Sequence, residues 1–93
     1  MGSNMRYKIE YSVTKTDRWG HILLSTLSVE YAETLAEAEG KAVEISVKLK
    51  KYDVNVLDLE GPAEDGNTTW CVSGYKAGKC IMTNVNYFER IGL

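Results

Sequence analysis

Three groups of side chains in this sequence are of types that could do chemistry. The first is the cysteine pair in WCVSGYKAGKC, residues 70–80, where Cys71 and Cys80 flank a Lys-Ala-Gly-Lys turn. Such a pair could make a disulfide, half of a metal site or a reactive dithiol. A three-residue loop, Lys76-Ala77-Gly78, sets Cys71 opposite Thr83 and Cys80 opposite Gly74, on different faces of a hairpin. A four-residue loop that closes Tyr75 against Cys80 puts both on one face but leaves Cys71 opposite Asn84. Four residues along a strand span roughly 13 Å, whereas a disulfide needs Cα atoms about 4.4–6.8 Å apart. Neither register admits the bond, so two free thiols are predicted, at least one packed as a small apolar residue. A metal site fails as well, because the spacing is not that of a zinc knuckle and the sole histidine, His21, falls in a distant turn.

The second group is His21 with Asp17. A general base next to a carboxylate is useful only beside a nucleophile, and the sequence places no serine or cysteine with them. His21 reads as an exposed turn residue. The third group is the carboxylate cluster Asp58, Glu60, Glu64 and Asp65, which lacks the alternating ligand spacing of a calcium-binding loop. No phosphate-cradling loop or dinucleotide fingerprint occurs. The expectation is a chain that is not an enzyme, with no catalytic residue, no cofactor and no metal.

The elements that must carry these residues can be read from periodicity. In a 93-residue chain with 44% hydrophobic and 26% charged residues there is room for one core, in an ordinary globular domain. Met1–Asn4 reads as a vector-derived leader, and residues 5–93 as a single domain. Met5, Tyr7, Ile9, Tyr11 and Val13 alternate with polar residues, the pattern of a half-buried strand. Leu23, Leu27, Val29 and Tyr31 repeat it. Between them, Asp17-Arg18-Trp19-Gly20-His21 reads as a hairpin turn closed by Gly20 in the left-handed conformation. This sets Tyr11 opposite Leu27, Ile9 opposite Val29 and Lys8 opposite Glu30.

Thr34 and Glu37 form a capping box, followed by an apolar stripe of Leu35, Ala38, Ala42, Ile45, Leu49 and Tyr52 at helical spacing. The helix is predicted over residues 35–51. DVNVLDLEG then reads as a strand whose apolar phase shifts from Val54 and Val56 to Leu57 and Leu59, as a bulge or two-sided burial would require. TTWCVSGY and KCIMTNVNYF complete a second hairpin. The fold class is α+β, in the order ββαβββ, with one helix packed on a five-stranded, mainly antiparallel sheet. A right-handed crossover after the helix gives strand order 2-1-3-4-5.

Charge narrows the partners. The formal net charge is −2, from 11 basic and 13 acidic residues, which gives no global field for nucleic acid. Arg6 and Lys8 on the outer face of the first strand are matched by Glu10 and Glu30, and Tyr7 and Tyr11 point towards the helix, so direct nucleic-acid binding is not expected. A small nucleic-acid-binding domain is kept as an alternative. No run approaches the ~18 apolar residues of a membrane span, and there is no signal-peptide core. The expected location is cytoplasmic, that of a host if the gene is viral.

Two features exceed what a small core needs. Ile22 and Leu24 fall on the otherwise polar face of the second strand beside Trp19 at a hairpin tip, and the acidic loop from Asp58 to Asp65 projects past a strand end. A protein-binding surface of Trp19, Ile22, Leu24, Asp58, Glu60, Glu64 and Asp65 is the leading expectation. A homodimer closed by Trp19, Ile22 and Leu24 is the alternative. In size and element order the chain resembles the small accessory proteins carried by phages, anti-CRISPR proteins among them. That resemblance implies an inhibitor that docks on a larger nucleic-acid-handling complex; it assigns no functional residue.

Overall fold

A computed structural model describes residues 5–61 and 69–92. The chain runs β1 (Tyr7–Thr16), β2 (Ile22–Ala32), α1 (Leu35–Lys48), β3 (Val54–Asp58), β4 (Trp70–Lys76), β5 (Lys79–Thr83) and α2 (Val85–Arg90). The five strands form one antiparallel sheet in the order β2-β1-β3-β4-β5. This is the α+β fold and strand order that the pattern predicts, with α2 as an addition.

α1 begins where the capping box requires. Thr34 Oγ1 accepts from the Glu37 N–H at 3.2 Å, while Glu37 Oε1 reaches back to the Glu33 N–H, also at 3.2 Å. Ala38, Ala42, Ile45 and Ser46 face the sheet, and the two alanines let helix and sheet approach closely. The helix stops at Lys48, with Leu49 as its cap, three residues before the predicted end. Beneath it lie Tyr7 and Ile9 of β1, Val54 and Val56 of β3, Val72 and Tyr75 of β4, and Tyr87 of α2. Fully burying a residue such as Ile9 or Val56 is worth about 1.5–3 kcal/mol, so this single layer carries most of the stability.

α2 lies in a segment that strand periodicity extends to Phe88. β5 ends at Thr83 because Asn84 caps a short helix: its Oδ1 accepts from the Tyr87 N–H at 3.2 Å. The same side chain donates to the Cys71 carbonyl at 3.0 Å, and the Asn84 N–H donates to the Val72 carbonyl at 3.0 Å. These bonds fix α2 to the bulge in β4, where Val72 is the extra residue between Ser73 and Cys71. The phase shift read in β3 is therefore a different thing. Val54, Val56 and Asp58 keep one buried phase throughout, and the bulge belongs to the neighbouring strand.

The β1–β2 hairpin departs most from expectation. Its turn is as predicted, with Gly20 at φ +86° and Asp17 Oδ1 accepting from the N–H groups of Trp19 and His21 at 2.9 Å each. Thr16 pairs with Ile22, in the predicted register. One residue further on, Lys15 pairs with Leu24, so Leu23 is bulged out and the register shifts by one. Tyr11 then faces Ser28, Ile9 faces Glu30 and Lys8 faces Tyr31. A one-residue slip turns every following side chain to the other face. Leu27, Val29 and Tyr31 accordingly stand on the sheet face away from α1, exposed.

Candidate interaction surface

The bulge shapes the outside of the molecule. β3 pairs with β1 only from Tyr7 to Tyr11, so Ser12–Thr16 have β2 as their sole neighbour. The two strands continue past the sheet as a two-stranded arm ending in the Asp17–His21 turn. The radius of gyration, 14.5 Å, exceeds the roughly 12 Å of a compact chain of this length, as a projecting arm requires. Tyr52 Oη donates to the Thr14 carbonyl and ties the base of the arm to the body.

The arm carries a run of exposed apolar side chains. Trp19 is 69% exposed, Ile22 and Leu23 67% each, and Leu27 61%, with Leu24 also exposed. Val29 and Tyr31, exposed as well, continue the row along the body half of β2. Trp19 is held at the tip under the Arg18 guanidinium, 4.3 Å from the ring centroid. Trp19, Ile22 and Leu24 all lie on this arm, but Ile22, opposite Thr16, faces away from α1 while Leu24, opposite Lys15, is on the other face. Leu27, Val29 and Tyr31, which with Leu23 the alternation assigns to the core, share the face of Ile22. The signal that could have found them is the run Ile22-Leu23-Leu24, which breaks strict alternation at the bulge.

The acidic group is divided. Asp58 is fully buried and lies outside any docking surface. It occupies the apolar phase of β3, and its carboxylate takes four donors: Arg6 Nε at 3.0 Å and the Glu60 N–H at 3.0 Å on Oδ1, and Arg6 Nη2 and Tyr87 Oη at 2.9 Å each on Oδ2. Burial alone would push its pKa up, but the Arg6, Tyr87 and Glu60 hydrogen bonds outweigh it and hold the carboxyl below its usual range. The bond to Asp58 pushes the Arg6 guanidinium further up, and burial with the Tyr7 and Asp58 contacts pushes the Tyr87 hydroxyl up. This is a bidentate ion pair locking β1, β3 and α2 together. Glu60 is exposed at the start of the loop, while Glu64 and Asp65 lie outside the described residues.

The cysteines are free and far apart in role. Lys76 pairs with Lys79 across a two-residue turn, Ala77-Gly78, with φ +52° and +82°. Tyr75 closes against Cys80 as in the second predicted register, and one further pair leaves this tight two-residue turn. The bulge at Val72 removes the shared face that register implied for the cysteines. Cys80 pairs with Tyr75 and is exposed; Cys71 pairs with Leu57 on the other sheet face and is half-buried. Burial and the Glu10 charge push the Cys71 thiol up, away from the reactive thiolate. His21 Nδ1 lies 3.2 Å from Asp17 Oδ2 in the exposed tip. Among the described residues no three His, Cys, Asp or Glu side chains converge as metal ligands, and no helix is long and apolar enough to cross a membrane.

A polar cleft of about 380 Å³ opens where the arm meets the body, lined by Glu10, Tyr11, Lys51, Tyr52, Asp53 and Lys76 among others. Its charges are mixed in sign, and it holds neither cysteine nor His21. No family model, curated protein or solved structure matches the chain.

Proposed function

We propose that this chain is a non-enzymatic protein-binding module whose working surface is the β1–β2 arm and the open edge of β2. One observation carries the reading: a two-stranded ribbon projects past the sheet with its large apolar side chains uncovered. An isolated two-stranded hairpin is marginally stable in water, and contiguous exposed apolar surface marks a contact site. Trp19 at the tip, stiffened by Arg18, has the character of a binding anchor. Glu60 stands at the end of the sheet opposite the tip, so the carboxylates of Glu60, Glu64 and Asp65 act on docking through long-range charge that speeds association rather than through contact. The resemblance to phage accessory proteins directs the search for a foreign partner to large nucleic-acid-handling complexes, on which such a module would act as an inhibitor.

The test is capture of a partner from the source cell, or from its bacterial host, followed by hydrogen exchange on the complex. Protection should appear on residues 12–16 and 22–31, and Trp19→Ala should weaken binding at least ~30-fold. Neutralising Glu60, Glu64 and Asp65 should slow association and flatten its salt dependence. Protection confined to β4 and β5, retention of nucleic acid by the purified chain, or turnover of a substrate would overturn the reading.

A further inference from the structure

Over its eleven residues β2 carries a single charged side chain, Glu30. Open sheet edges are ordinarily guarded by charges, proline or brevity. The other edge, β5, has five residues and begins with a lysine. Besides Glu30, Lys41 guards this edge among the described residues, its Nζ donating to the Tyr31 carbonyl at 2.9 Å. The Arg6 carbonyl accepts from the Leu59 N–H, so even-numbered residues of β1 turn their backbone groups to β3 and odd-numbered ones to β2. It follows that Ser25, Leu27, Val29 and Tyr31 present their N–H and C=O groups to the open edge.

We infer that β2 pairs antiparallel with β2 of a second copy about a two-fold axis at Leu27, joining the two sheets into one. The inference rests on the reading of the arm as an interaction surface and names its occupant. Self-pairing demands a strand that complements itself when reversed, and β2 does. Leu27 meets Leu27, Leu23 reaches Tyr31, and Ser25 lies opposite Val29. On the other face Thr26 meets Ser28 and Leu24 meets Glu30. No like charges face each other.

The axis also falls where the arm leaves the body. Leu27 stands opposite Ser12, the first residue of β1 beyond the β3 pairing. Each arm therefore lies along the body half of the other copy's β2, from Ser28 to Ala32, and the ribbon gains the third strand it lacks. A foreign partner has no need of that coincidence; a two-fold dimer of this chain requires it.

Charge agrees. Pairing carries the Arg18–Trp19 tip of one copy past Ala32 of the other, to the start of α1, where Glu33 and Glu37 stand. It also sets Lys15 and Glu30 of opposite copies on one face, two strand spacings or about 10 Å apart, across Leu24. Residues 17–35 supply nineteen residues from each copy, close to the ~20 per side of a specific interface.

Sedimentation velocity of the intact chain across the micromolar range should show a dimer that dissociates on dilution. Leu27→Lys should weaken association at least ~30-fold with unchanged circular dichroism, because two like charges then meet on the axis. In a Cys71→Ala, Cys80→Ser chain, Leu27→Cys should cross-link under mild oxidation, since paired Cα atoms lie about 5.5 Å apart. Val29→Cys should not, its two copies being roughly 13 Å apart. A dimer indifferent to Leu27→Lys, or one that cross-links through Val29→Cys in preference to Leu27→Cys, overturns the inference. A monomer at all concentrations that still loses a foreign partner on Trp19→Ala overturns the pairing and leaves the interaction surface standing. A monomer whose binding ignores Trp19→Ala removes both.

Discussion

Ser46 Oγ accepts the Gly78 N–H at 2.8 Å, which pins the β4–β5 turn to the last turn of α1. Ser46 is fully buried and donates onward to the Val43 carbonyl at 2.9 Å. Gly78 has φ +82°, and a Cβ there would lie 2.8 Å from Val47 Cγ2. Conformation and contact both require glycine. Gly78→Ala should cost about 2–3 kcal/mol, the sum of left-handed strain and the displaced Val47. Ser46→Ala, which leaves the partly buried Gly78 N–H without its acceptor, should cost about 1–2 kcal/mol. Urea denaturation measures both, and a loss below about 0.5 kcal/mol in either would contradict the contact.

The Asp58 carboxylate gives stability a defined dependence on acid. Its folded pKa lies below its unfolded one, so between the two values the unfolded chain binds the additional proton and stability rises with pH. The contribution is fully present above the unfolded carboxyl value of about 3.9 and is lost as pH falls through the folded value. Asp58→Asn should destabilise the protein by about 3 kcal/mol at neutral pH and remove this part of the acid dependence. Tyr87→Phe, which deletes one of the four donors, should cost about 1–2 kcal/mol. Denaturation midpoints from pH 2 to 7 test the sign. A variant Asp58→Asn with the parent's acid profile would refute it.

The bulge at Leu23 separates two otherwise similar aliphatic positions. Ile9 is fully buried, and Ile9→Ala should cost about 2–5 kcal/mol. Leu27 is mostly exposed, and Leu27→Ser should change the stability of the monomer by no more than about 0.5 kcal/mol. Cross-strand NOEs between Ser12 and Leu27 and between Lys8 and Tyr31 would report the same register directly. Large losses at both positions would mean that Leu27 packs under α1.

Thiol titration should find two free groups in denatured protein prepared without reductant, and two rates in native protein. Cys80 is exposed and should react first. Cys71, half-buried with its thiol pushed up by burial and by Glu10, should react more slowly, and Glu10→Gln should speed it. Equal rates in the native protein would count against the placement of Cys71 beside Glu10.

The contrast between Leu27 and Asp58 shows what is legible in the sequence. The ββαβββ order, the capping box at Thr34 and the left-handed Gly20 follow from local rules and the sheet order from crossover handedness, and each is found in the structure with α2 added. Register does not follow from local rules, because a single bulged residue reverses the sense of a whole alternating strand. Asp58 reads as a loop acid because an isolated carboxylate is costly to bury. Its partners, Arg6 and Tyr87, are distant in the chain, and only the assembled sheet brings them to it. α2 is masked by the apolar content of VNYF, although Asn84 at its start is a recognisable cap. At the surface, the exposed trio Trp19, Ile22 and Leu24 is visible as residues out of phase, while the row beyond it is hidden by being in phase.

The Arg6–Asp58–Tyr87 junction bears on how the protein comes into being on the ribosome. Synthesis delivers Arg6 first, Asp58 after three of the five strands have begun, and Tyr87 last of the three. Until then β1 and β3 can associate, but the buried carboxylate lacks one of its four donors. The nascent chain can thus sample its hairpins early, yet it reaches the full network only when α2 docks. An aborted or stalled translation product lacking Tyr87 would be handed to quality control as a loosened sheet, with its apolar β2 edge already exposed and one internal bond short.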